Sequence, residues 1–299
     1  MSLQLTMPFN LDVSLCCGQV FLWERRGDWW FGVVGGKAMK VRQAGGLLEF
    51  SGADEKFVKR YFSLDHDLEN ISAEIGKDEY VKAALRKFWG LRLIRQDPWE
   101  CLISFICATY KSVVAIRQML MKLSATFGET VVFEGKEFHG FPTARRLAGA
   151  SFRELETCGL GYRAKYVLAT SKMVCAGDHN VEALKKMPYD EGKHILLEFP
   201  GVGQKVADCV LLFSLDKLEA FPVDVWIKRV LLRHYAGCFE ASAMKRLAEK
   251  EGLSDGNYAR LNAFGREYFG GHAGYAPEYL YHYERCVAGN RKIEKGYRG

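Results

Sequence analysis

Between Phe21 and Phe50 the apolar positions are largely aromatic and β-branched, and they are interrupted at Arg26-Gly27, Gly35-Gly36 and Gly45-Gly46. That pattern predicts short antiparallel strands joined by hairpin turns. After about Asp54 the period lengthens. Phe57–Phe62, Glu79–Trp89, Cys101–Tyr110, Ser112–Phe127 and Glu154–Leu160 each repeat apolar residues at helical spacing. The chain therefore reads as α+β, with an N-terminal antiparallel β-sheet domain over residues 1–90 and a helical domain over 91–299. No internal repeat or low-complexity linker divides it. The basic tail from Arg291 to Gly299 reads as a frayed, solvated end.

The densest information lies between His194 and Val225. It reads as a helix, a Pro200-Gly201-Val202-Gly203 hairpin, a second helix carrying Lys205, and Asp224 in a Pro-Val-Asp-Val turn. Two glycines allow a sharp turn with exposed backbone. The free N–H groups and dipole of the helix that follows favour an anion. Gly201, Gly203 and Val206 are thus candidates to hold a nucleic-acid phosphate without reading sequence. Lys205, Cys209 and Phe213 follow at i, i+4 and i+8 and share one helical face. They can line a pocket for a flat, uncharged base. The same pattern also fits a core stripe of Cys209 and Phe213 beside a solvated lysine. A phosphate grip, an amine nucleophile and a carboxylate together suggest chemistry on DNA.

Composition narrows the setting without deciding it. The chain has 299 residues, 48% of them hydrophobic, and a net charge of +6, which suits a polyanionic partner. No signal peptide and no apolar run of the ~20 residues a membrane helix needs is apparent. Nine cysteines without framework spacing fit reduced thiols. A cytoplasmic or nucleoid location is expected, or a nuclear one in a eukaryote. Cys238 and Cys286 stand alone near the C-terminus, so no iron–sulfur cluster is expected, and no ligand spacing suggests zinc.

LEFPGVGQKVADC followed by FPVDV resembles the helix-hairpin-helix signature of base-excision DNA glycosylases, above all the 8-oxoguanine DNA glycosylase family. GQVFLWE (Gly18–Glu24), KRYFSLDHDL (Lys59–Leu68), RLIRQDPWECLISFIC (Arg92–Cys107), FHGFPTARRLAG (Phe138–Gly149) and CGLGYRAKYV (Cys158–Val167) resemble it too, in family order. GGHAGYAPEYLY (Gly270–Tyr281) is a weaker match.

The resemblance implies an enzyme that extrudes a nucleotide from duplex DNA and excises oxidised guanine. Lys205 would attack the sugar C1′ and form a Schiff base, which permits β-elimination of the strand. Attack needs the neutral amine, which a partly desolvated pocket favours. Asp224 would stabilise the cationic sugar, its carboxylate kept ionised by backbone N–H groups at a helix start. By resemblance, the Gly18 carbonyl reads the N7 hydrogen of 8-oxoguanine, and Cys209 and Tyr281 sandwich the flipped base. Gly18 read alone also fits a turn glycine between strands. Tyr162 and Arg163 match residues that fill the gap in the duplex and contact the orphaned cytosine.

Departures from the family bear on specificity. Tyr110 stands where an asparagine pairs with the orphaned base, and Ala115 where an arginine also reads it. Pro277 falls where a glutamine reads the lesion's pairing edge, and Trp226 replaces a histidine near Asp224. Relaxed choice of opposite base is expected, since each lost bidentate contact is worth about 1–3 kcal/mol. The resemblance allows a monovalent cation on the hairpin carbonyls of Leu197, Phe199 and Val202, and a monomer is expected. Two other readings fit the hairpin. One is a monofunctional glycosylase for alkylated purines, which would not need Lys205. The other is a non-catalytic DNA clamp, which would not need Lys205 with Asp224.

Overall fold

A computed structural model describes residues 1–177, 179–242, 247 and 252–296, with side chains described as far as Cys286. The glycine interruptions are hairpin turns, as expected: β2 (Glu24–Arg26), β3 (Trp29–Val34), β4 (Lys37–Ala44) and β5 (Leu47–Ser51) form an antiparallel meander. β1 (Ser2–Gln4) adds a fifth strand on the outer edge of β5, giving the order β1-β5-β4-β3-β2. Trp30, Val41 and Phe50 are cross-strand partners on one face. With Met39 and Leu48 they pack against Phe9, Leu11, Leu15, Val58 and Phe62. These come from the segment containing α1 (Leu11–Cys16) and from α2 (Glu55–Tyr61) with its C-cap.

The opposite face is covered by a segment some eighty residues beyond β5. β6 (Thr130–Phe133) and β7 (Lys136–His139) form a two-stranded ribbon, and Phe138 stacks on Phe31 at 5.8 Å. This ribbon lies inside the segment that sequence periodicity assigns to helices.

The larger core is helical. It takes in α3 (Leu68–Ile75), α4 (Glu79–Lys87), α5 (Pro98–Cys107), α6 (Val113–Phe127), α7 (Ala144–Ala148), α8 (Phe152–Thr157) and α9 (Arg163–Ala176). α10 (Tyr189–Glu198), α11 (Gln204–Ser214), α12 (Val225–His234), α13 (Asp255–Phe269) and α14 (Tyr275–Gly296) complete it. α10 and α11 flank the hairpin. The buried Asp208 fixes α11 in place, accepting from Lys193 Nζ on α10 (2.9 Å) and Asn262 Nδ2 on α13 (3.0 Å). A fully buried carboxylate needs such partners. None of the described helices is long and apolar enough to cross a membrane.

Candidate active site

The hairpin brings backbone donors to the surface. The Val202 N–H returns to the Phe199 carbonyl (3.0 Å), closing the turn after α10. Gly201 has φ +85°, and a Cβ there would lie 2.7 Å from Tyr166 on α9. Gly203 caps α11 without a side-chain hydrogen bond, so the first-turn N–H groups are left for an outside acceptor. The Val206 side chain is buried, so a phosphate can meet only its N–H. Gly201→Ala is expected to cost at least about 1–2 kcal/mol, since a left-handed residue gains a Cβ with no space for it. A lower thermal midpoint and weaker binding to an abasic-analogue duplex check this. Unchanged values would show that the turn tolerates a side chain.

Lys205 sits in the first turn of α11 with Nζ 4.9 Å from the centroid of the Phe105 ring. Asp224 is the N-cap of α12, its Oδ1 accepting from Trp226 N (2.9 Å) and Ile227 N (2.8 Å). The two charges lie in each other's field, although no direct ion pair joins them among the described residues. Burial raises the Asp224 pKa above its ordinary value, against the pull of the helix amides, Lys205 and Arg285. The amides were expected to favour the ionised form and do so, but desolvation outweighs them.

The lesion-reading residues meet beside this pair. Gly18 has φ +110°, and a Cβ there would lie 3.1 Å from Arg285 Nη1 and 3.3 Å from Tyr281 Cε1. Its neighbour Gln19 is buried and bonds to Ser14 O (3.0 Å), Arg92 O (2.9 Å) and Ile94 N (2.8 Å), which holds the segment rigidly. Cys209, one turn beyond Lys205, feels Lys205, Asp224 and Glu278, and burial pushes its thiol up to about 12. Phe213, one turn beyond Cys209 and equally buried, stacks at 5.4 Å on Phe105, the ring that lies under Lys205.

The remaining candidates form an outer surface. Tyr110 is 85% exposed with φ +54°, and Tyr162, the residue before α9, is 50% exposed. α5 stops at Cys107 rather than continuing to Tyr110, with Thr109 Oγ1 donating to Ile106 O (2.9 Å). Arg163 differs from expectation. It is only 3% exposed, and its guanidinium turns inward to donate to the Thr109 carbonyl. Its Nη1 and Nη2 donate to the Leu160 and Thr109 carbonyls while Nε has no partner among the described residues, so the side chain ties the Tyr110 loop to the Tyr162 loop. Trp226 is half-buried beneath the Arg229 guanidinium, 5.3 Å from its ring.

Three site residues were not singled out from sequence: Phe105, Glu278 and Arg285. Glu278, Tyr281 and Arg285 fall at i, i+3 and i+7 on α14, a helical stripe that was available as a signal. Arg285 Nη1 donates to the Cys17 carbonyl (2.8 Å) and its Cζ lies 5.1 Å from the Tyr281 ring. Glu278 is buried, and desolvation pushes its carboxyl up to about 7.

A hairpin that offers backbone donors, with a lysine and a capped aspartate behind it, defines a helix-hairpin-helix DNA glycosylase. Residues 2–102 match the family described as 8-oxoguanine DNA glycosylase, N-terminal domain, and residues 103–251 match the HhH-GPD superfamily base excision DNA repair proteins. A probable N-glycosylase/DNA lyase of Methanothermobacter thermautotrophicus is 34% identical over 228 residues, 69% of this chain and 72% of the relative. An N-glycosylase/DNA lyase of Arabidopsis thaliana is 32% identical over 75% of this chain and 65% of its own length. The apo 8-oxoguanine glycosylase/lyase of Clostridium acetobutylicum superposes with a TM-score of 0.83 at 31% identity, over 94% of this chain and 95% of that one. The chain belongs to the 8-oxoguanine DNA glycosylase family, and its enzyme class is DNA glycosylase with lyase activity on abasic sites.

Proposed function

We propose that this enzyme excises 8-oxoguanine from duplex DNA through a Schiff base on Lys205, cuts the strand by β-elimination, and chooses weakly among opposite bases. The observation that carries the reading is the meeting of the half-buried Lys205 and Asp224 in one shared field, beside Gly18, Cys209 and Tyr281. The named activity of the Clostridium protein supports the choice of lesion.

The chemistry follows from this arrangement. The neutral Lys205 amine bonds to C1′ as the glycosidic electron pair leaves with the base, which takes up a proton. Positive charge develops on the sugar, and the Asp224 carboxylate stabilises it across a desolvated gap. Ring opening gives the iminium, which acidifies the C2′ hydrogen; its loss expels the 3′ phosphate. Gly201, Gly203 and the Val206 N–H grip the backbone, while Tyr110 and Tyr162 are the exposed aromatics suited to fill the vacated stack.

Weak opposite-base choice rests on missing donors. Ala115 has no hydrogen-bonding side chain, and Arg163 is engaged inside the protein. Single-turnover excision of 8-oxoguanine opposite C, A, G and T is expected to vary by about tenfold or less. A preference for cytosine of about a hundredfold or more would contradict it and imply that Arg163 swings outward on DNA.

A further inference from the structure

Glu278 is a buried carboxyl placed against the proposed site, hydrogen-bonded to the Cys17 thiol and in the field of Arg285, yet one of its two oxygens is left open. It is only 7% exposed, and its Oε1 is sealed from solvent with no hydrogen-bond partner among the described residues. Buried acceptors are normally satisfied, so an open one next to a reactive centre points to a ligand group that completes it. Its surroundings identify where that group arrives. The Cys17 thiol lies against the carboxyl, and Cys17 directly precedes Gly18. Cys209 and Tyr281 also feel its charge. Glu278 therefore borders the space between the two residues read as sandwiching the base and the glycine read as contacting its edge.

We propose that Glu278 reads the pairing edge of the extruded base, its carboxylate accepting both the N1–H and the 2-amino hydrogens. The inference rests on the function proposed above. Guanine-derived bases carry these two donors side by side, and a carboxylate has two acceptors at matching spacing. An adenine-derived base presents a lone pair at N1, which the carboxylate repels. The neighbouring Pro277 has no polar side chain, so its side chain cannot accept these hydrogens. Lys205 does not serve as the missing partner, because its ammonium lies over Phe105 and makes no direct ion pair with Glu278 among the described residues.

The test compares wild type, Glu278→Leu and Glu278→Gln on three duplexes. These carry 8-oxoguanine, 8-oxohypoxanthine (which lacks the 2-amino group) or a preformed abasic site. Wild type is expected to release 8-oxoguanine about 10- to 100-fold faster than 8-oxohypoxanthine in single turnover, the worth of one lost hydrogen bond to a charged group. In Glu278→Leu that ratio collapses to near unity, with Glu278→Gln in between, while cleavage of the abasic duplex stays at the wild-type rate. Retained abasic cleavage also shows that each variant is folded, and Glu278→Gln decides should the leucine variant not fold. An undiminished ratio in the variants overturns the proposal. So does a parallel fall in abasic cleavage, which would mean that Glu278 acts through Lys205 and not on the base. Wild type that cleaves the abasic duplex but leaves 8-oxoguanine in place would refute the lesion assignment itself, and this inference with it.

Discussion

Lys205→Gln is expected to lower base release and strand cleavage by about four orders of magnitude or more, because the proposed covalent intermediate forms on its amine. DNA binding should persist. The grip on phosphate is assigned to hairpin backbone groups, and one side-chain charge contributes only one of several counterion-releasing contacts. The protein should also fold normally, since Lys205 is only half-buried and its replaced ammonium leaves no ion pair behind. Single-turnover excision, paired with a binding titration on an uncleavable duplex, separates the two effects. A variant that still cut at a tenth of the wild-type rate would remove Lys205 from the chemistry.

Asp224→Asn is expected to slow excision by about 10²- to 10³-fold with little loss of stability. The two roles of Asp224 separate cleanly in this variant. Asparagine caps a helix about as well as aspartate, so Trp226 and Ile227 keep an acceptor for their N–H groups. What disappears is the negative charge. Burial has raised the cost of that charge, and a carboxylate short of solvent interacts strongly with a cationic sugar in the same low-dielectric space. Thermal melts and single-turnover rates check the two halves independently. Equal losses in both would reduce Asp224 to a structural cap.

Much of this was legible in the chain. The sheet is written in glycine pairs at its turns, and the hairpin in Pro200-Gly201-Val202-Gly203, because both need backbone shapes that few residues adopt. The β6–β7 ribbon was hidden: each strand is four residues long and mostly exposed, so Phe138 alone reports its buried side. β1 is shorter still and is defined by its pairing to β5, a contact distant in sequence. At the candidate site, Lys205, Cys209 and Asp224 were singled out because turn chemistry and helical spacing point at them. Phe213 shares that spacing and, like Cys209, is buried in the core, since periodicity does not say where along a helix a pocket ends. Nor does a Gly-Tyr-Arg loop show which way its arginine faces; the Thr109 carbonyl that draws Arg163 inward lies more than fifty residues away. Glu278 and Arg285 were missed because α14 is aromatic on several sides, which blurs the stripe they share with Tyr281.

The most direct test of the covalent mechanism is sodium borohydride trapping on a duplex with a single 8-oxoguanine, followed by mapping of the modified peptide. A stable protein–DNA adduct carried on Lys205, and absent from Lys205→Gln, is the predicted result. Efficient release of 8-oxoguanine with no adduct would contradict it, and would assign base removal to activated water with Asp224 alone.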